Sequence, residues 1–127
     1  MKKFFMITMM LVAMITTAHA QGKAEIKFDK TLINIGTFPE SASEKTVTFT
    51  YTNVGDAPLV INQVVASCGC TDPKYDKKPV APGQTGQIKV TYNGRGKFAG
   101  YFKKSITVRT NAATEMTRLY IEGTMTE

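Results

Sequence analysis

From Glu25 onward, apolar and polar residues alternate with a period of two. Ile26 and Phe28 are flanked by Glu25 and Lys27, and after Asp29-Lys30 a second run extends from Thr31 to Phe38. The clearest case is Thr46 to Thr52, where Val47, Phe49 and Tyr51 fall on one face and four threonines on the other. That is the pattern of a half-buried strand, and a branched β-carbon suits its outer, pleated face. Asn53-Val54-Gly55-Asp56-Ala57-Pro58 then gathers residues that turn a chain. Leu59 to Ala66 is the most apolar stretch after the N-terminal region, and its alternation slips at Asn62-Gln63, which predicts a bulge or bend there.

Asp72-Pro73 to Pro82-Gly83 contains three prolines and alternating charges, and reads as a loop closed by a Pro-Gly turn. Ile88, Val90 and Tyr92 resume the alternation, which stops at Asn93-Gly94-Arg95-Gly96. Tyr101 to Thr110 follows as a strand with Phe102, Ile106 and Val108 on one face, and Met116 to Gly123 is the last strand. About seven short strands separated by turn clusters, with no helical pattern and no repeat, predict an all-β fold: an immunoglobulin-like two-sheet β-sandwich. The core tryptophan and widely spaced disulfide of antibody domains are missing, so the likeness is one of architecture.

The first residues follow a different rule. Met1-Lys2-Lys3 is a positive start, Phe4 to Ile15 is apolar except for Thr8, and Ala18-His19-Ala20 has the small residues that a signal peptidase cleaves after. Residues 1–20 are therefore expected to be a cleaved signal peptide, and 21–127 a single exported domain, periplasmic or extracellular. The apolar run is short for a bilayer span, so no retained membrane segment is expected. No cysteine follows it to carry a lipid.

Cleavage changes the chemistry on offer. Five of the seven methionines lie in the signal, as does His19, the one histidine. Without histidine the domain has no Ser-His-Asp or Cys-His pair and no imidazole ligand. Loss of Lys2 and Lys3 lowers the formal net charge of +6 by two, and the remainder forms no clustered footprint for nucleic acid. Asn93-Gly94-Arg95-Gly96 lacks the following helix that a phosphate loop needs and reads as a hairpin turn. Asp72 with Asp76, and Glu40 with Glu44, are carboxylate pairs of the kind that charged turns supply by chance.

What remains is Ser67-Cys68-Gly69-Cys70-Thr71, holding the two cysteines of the chain. Two residues along a strand span about 6.6 Å, near the upper limit of about 6.8 Å for the α-carbons of a disulfide. Closing the pair requires a bend, which Gly69 is expected to permit through its freedom in dihedral angle. So small a ring removes little unfolded-state entropy, about 1.5 kcal/mol when the loop relation is carried down to three residues. Four readings stay open for Cys68, Gly69 and Cys70. They are packing at a strand end, a redox-active dithiol in an oxidising compartment, a soft-metal site suited to Cu(I), and an intermolecular disulfide. With no histidine, a closed four-ligand zinc site within one chain is disfavoured.

Further residues extend this motif into a longer pattern. Asn53-x-Gly55-x-x-Pro58-Leu59-x-Ile61 precedes Ser67-Cys68-Gly69-Cys70-Thr71-x-Pro73. Pro79-Val80-Ala81-Pro82-Gly83-Gln84-x-Gly86-x-Ile88-x-Val90-x-Tyr92 follows, and then Gly100-x-Phe102-x-Lys104-x-Ile106-x-Val108 and Thr110-Asn111. The pattern resembles a family of small exported bacterial domains catalogued as domain of unknown function 1573, similar in architecture to Hydin-type immunoglobulin-like domains. The resemblance covers nearly the whole mature chain. It implies fold and compartment, and brings no catalytic activity with it.

The sequence thus points to a non-enzymatic exported module that binds or organises cell-envelope components, with an envelope protein as partner and no nucleic acid. Sandwich edge strands provide the physical route, because they present main-chain groups to a partner strand. No catalytic residue and no resident cofactor are expected. The alternative is thiol chemistry, with Cys68 and Cys70 exchanging disulfides or holding Cu(I).

Overall fold

The structure, a computed structural model, describes residues 22–127; the expected signal peptide at 1–20 lies outside the described residues. Eight strands form two four-stranded sheets. In chain order they are β1 (Ile26–Phe28), β2 (Leu32–Pro39), β3 (Glu44–Asn53), β4 (Ile61–Ala66), β5 (Thr71–Tyr75), β6 (Thr85–Asn93), β7 (Gly100–Thr110) and β8 (Met116–Thr126). One sheet has the order β1-β3-β6-β5 and the other β2-β8-β7-β4. All pairings are antiparallel except β2 with β8. A single 3-10 turn, Glu40–Ala42, joins β2 to β3.

The alternation read from the sequence is the alternation of burial. Phe49, Tyr51, Ile88 and Val90 of the first sheet face Ile106, Val108, Leu119 and Ile121 of the second, all essentially removed from water. Each large apolar side chain so buried stabilises the fold by about 1.5–3 kcal/mol. At one end of the core Tyr92 stacks on Phe102 with ring centroids 4.2 Å apart, and Phe38 meets both edge-on. The expected slip in β4 is present. Ile61 pairs with Thr110 but Gln63 with Arg109, so Asn62 is the extra residue of a bulge.

Two expectations are corrected. The stretch from Asp72 is not all loop, since Thr71–Tyr75 is an eighth strand pairing with β6 from Thr71 opposite Tyr92 to Tyr75 opposite Ile88. Its proline hid it, yet an edge strand tolerates proline because only one side of the backbone is bonded. The Asn93-Gly94-Arg95-Gly96 stretch is not a hairpin turn, because β6 and β7 belong to different sheets and this segment carries the chain across. The Pro82-Gly83 turn is as expected. Gln84 N–H donates to Ala81 O at 2.9 Å, and Gly83 takes φ +83°, which favours glycine.

Candidate functional site

The cysteines lie one turn beyond the strand expected to deliver them. β4 ends at Ala66 on the edge of one sheet and β5 begins at Thr71 on the edge of the other, so Ser67–Cys70 crosses between the sheets. The crossing is a tight turn in which Thr71 N–H donates to Cys68 O at 3.1 Å. This brings the two α-carbons to 5.1 Å, and Cys68 and Cys70 are joined by a disulfide. Cys70 is buried at the core margin, while Cys68 is half-buried.

The expected role of Gly69 is overturned. It is not among the glycines with positive φ, and a β-carbon built on it would meet nothing within 4 Å. The hydrogen-bonded turn, reachable by any L-residue, supplies the bend.

The flanking residues explain why the turn holds. Ser67 N–H donates to Ser105 O at 3.0 Å, and Ser105 N–H donates back to Ser67 Oγ at 3.2 Å, which ties the turn to β7. Asn93 N–H donates to Cys70 O at 2.8 Å, which ties it to β6. Cys70 N–H points at Cys68 Sγ at 3.1 Å, and Thr71 Oγ1 lies 3.7 Å from Cys70 Sγ. The turn therefore clasps both sheets at their shared margin.

As a disulfide, neither sulfur is the thiolate that attacks a bond or ligates a metal. Redox or Cu(I) chemistry here begins with reduction of this bond. Among the described residues no group of three or more His, Cys, Asp or Glu comes together. Three of the four paired carboxylates take local roles. Glu40 accepts from Gly96 N–H at 3.0 Å, Asp76 from Lys78 N–H at 2.8 Å, and Asp72 lies 3.7 Å from Lys74 on the surface.

Sequence reasoning missed the most completely bonded side chain among the described residues. Asn53, read as a turn former, has no exposed surface. Its Nδ2 donates to Ala57 O at 2.7 Å and to Val80 O at 2.9 Å, while Oδ1 accepts from Gly55 N–H at 2.9 Å and Glu25 N–H at 3.3 Å. Gly55 is fixed beside it, because a β-carbon there would collide with the backbone of Lys23 to Glu25. Asn111 does similar work, accepting from Val60 N–H and donating to Pro58 O. Much of the longer sequence pattern is thus explained by main-chain anchoring. The signal available in the sequence was a lone asparagine closing an apolar face, since Asn53 continues the series Val47, Phe49, Tyr51.

Comparison with known proteins agrees with this architecture. The family model described as a protein of unknown function, DUF1573, matches residues 26–125. The chain belongs to the DUF1573 family. No curated protein sequence matches it.

Among solved structures, a protein of unknown function from Porphyromonas gingivalis W83 superposes with a TM-score of 0.68 at 14% identity, over 80% of this chain and 46% of that one. The DUF1573 chain thus spans less than half of that relative. The ASH/PapD-like domain of human CEP192 superposes with a TM-score of 0.63 at 9% identity, over 98% of this chain and 99% of that one. The Pseudomonas aeruginosa CupB2 chaperone gives 0.56 at 14%, over 76% and 54% respectively. At these identities the likeness is one of fold: a PapD-like, immunoglobulin-like sandwich.

Proposed function

We propose that this DUF1573 protein is an exported, non-enzymatic module of the cell envelope that holds a partner protein along a sheet edge, with residues 1–20 as its cleaved signal. The observation that supports it is that neither sheet closes on itself. β1 and β5 end one sheet, and β2 and β4 end the other, each offering main-chain donors and acceptors on its free side. Among the described residues no helix is long and apolar enough to cross a membrane.

The test places a photoreactive phenylalanine analogue singly at Lys27, Asn34, Asn62, Asp72 or Gln87, all exposed on strands at or beside an edge. Illumination of living cells should give adducts confined to one edge, unchanged when Cys68→Ser and Cys70→Ser are combined. No adduct at any position overturns the reading. Adducts lost in the folded double variant favour the second reading, thiol chemistry at Cys68–Cys70. The half-exposed Cys68 and the open space over Gly69 are what support that alternative.

A further inference from the structure

The edges differ in how ready they are to receive a strand. β1 has three residues, β2 is interrupted between Asn34 and Thr37 with Gly36 at φ +83°, β4 is bulged at Asn62, and β5 carries Pro73. Short length, bulges and proline are the devices by which edge strands resist pairing. One strip escapes them. β5 stops at Tyr75 opposite Ile88, so Thr85, Gly86 and Gln87 at the start of β6 continue with no strand on that side among the described residues. The chain leaves β5 through Asp76–Pro79 and returns past Val80, which is tied to Leu59 by two hydrogen bonds of 2.8 Å. Between that excursion and the strip lies an open groove of about 870 Å³.

The floor of the groove is unusual. Gly86 stands opposite Tyr51 on β3, and lacking a side chain it makes room for the Tyr51 ring tip, which lies where a β-carbon would stand and borders the groove. Tyr51 is 1% exposed, and its hydroxyl takes part in none of the side-chain hydrogen bonds seen among the described residues. Buried phenol hydroxyls ordinarily find a partner, and leaving such a group unpaired is unfavourable. Burial first, and the Asp76 carboxylate second, push this phenol up from its ordinary range, so it is a neutral donor at physiological pH. Around the rim stand Lys74, Lys78 and Lys89 with the Asp76 carboxylate, and Asp72 lies 3.7 Å from Lys74. Tyr75, half-buried, adds an aromatic wall.

We infer that this groove is the docking site for an extended acidic peptide, which pairs with Thr85–Gln87 of β6, sets a carbonyl or carboxylate oxygen on the Tyr51 hydroxyl and places acidic side chains among Lys74, Lys78 and Lys89. The inference rests on the edge-binding reading and narrows it. An extended backbone is required because the free groups belong to a strand edge. A negative partner is favoured because the lysines of the rim outnumber the carboxylates Asp76 and Asp72 by three to two, and complementary charge sets both encounter rate and discrimination. The site lies at the far end of β5 from the disulfide, so it does not need the thiols.

The test uses the full-length protein and a short fluorescein-labelled peptide alternating valine and glutamate, with its valine–lysine counterpart as comparison. Fluorescence anisotropy should show saturable binding of the acidic peptide, at least about tenfold tighter than the basic one and weakening as salt rises. Lys74→Glu, Lys78→Glu and Lys89→Glu together should reverse the preference. Tyr51→Phe, which keeps the ring, should weaken the acidic peptide by about threefold to thirtyfold without lowering the melting temperature. Phe98→Ala, which removes a fully exposed ring on the crossing from β6 to β7, should change nothing. Equal binding of the two peptides, absence of saturable binding, or wild-type affinity in both the lysine and tyrosine variants overturns the inference. In the photocrosslinking experiment, adducts at Asn34 or Asn62 but not Gln87 would overturn it while leaving the edge-binding reading standing.

Discussion

The two ends of β5 are built on opposite principles. At the Cys70 end the chain crosses between sheets in a turn whose groups are bonded to β6, to β7 and to one another. At the Tyr75 end the chain swings away, leaving three residues of β6 without a neighbouring strand on that side and a buried hydroxyl without a partner among the described residues. The first end holds the motif that stands out in the sequence; the second is made of ordinary lysines, a glycine and two tyrosines. The difference teaches that a conspicuous cysteine motif can mark where a sandwich is fastened, while the proposed groove carries only the less conspicuous Pro79 to Gly86 part of the longer pattern.

The largest effect that should sharpen this comparison comes from Asn53, one of whose four hydrogen bonds holds Val80, a wall of the groove. Asn53→Ala removes all four bonds of a fully buried side chain, leaves the half-buried Glu25, Gly55 and Ala57 main-chain groups without that partner, and should destabilise the protein by about 3 kcal/mol, read from urea unfolding. Because the lost bonds are near the groove, acidic-peptide binding should fall while the disulfide stays formed. A loss within about 0.5 kcal/mol, the range of ordinary surface changes, would show that these bonds are replaceable by water.

Next is Gly86, which makes room for the Tyr51 ring tip. A β-carbon at Gly86 would press on the Tyr51 ring and hydroxyl. Gly86→Val should therefore overpack the site, lowering stability by about 2 kcal/mol and closing the groove. Calorimetric melting and peptide anisotropy on the same preparation check it. A variant that melts unchanged and still binds would mean that the floor of the groove is elsewhere.

How much of this was legible depends on which physical rule wrote it. Strands from Ile26 to Gly123 and the bulge at Asn62 follow from periodicity, because alternation in the chain becomes alternation of burial across a pleat. β5 was hidden because proline is a turn signal in the chain but only a missing donor at an edge. The groove was hidden for a deeper reason. Tyr51 and Gly86 are thirty-five residues apart in the sequence and meet only through the register of β3 on β6, which no local pattern encodes. Asn53 lies between these cases, since its place in an apolar series marks it for burial but not for its four partners.

At the other end of β5, the pair Cys68→Ser with Cys70→Ser removes a ring too small to constrain the unfolded chain much. The loss should be about 1.5 kcal/mol, measured by urea unfolding. Ser67 and Asn93 hold the turn by hydrogen bonds that the substitution leaves in place. The crosslinked partner and acidic-peptide affinity should be unchanged. A much larger loss would mean that the disulfide, rather than those bonds, fixes β5 against β6.

The smallest effect is the most discriminating for the disulfide turn. Gly69 has neither a positive φ nor a neighbour that a β-carbon would strike, so Gly69→Ala should alter stability by no more than about 0.5 kcal/mol. Stabilisation within that range is the expected sign, because alanine restricts the unfolded chain more than glycine does. What the substitution adds is a methyl group beside the disulfide, in space now open to solvent. If the bond only fastens the sheets, its rate of reduction by glutathione should matter to nothing the cell does, and the Gly69→Ala protein should give the same crosslinked partner as wild type. If the bond turns over and the attacking thiolate approaches across Gly69, added bulk there should lower both reduction rate and adduct yield while the melting temperature does not fall. Stability and reactivity thus separate at this one residue, which is why a substitution with almost no thermodynamic effect divides the two readings of the turn.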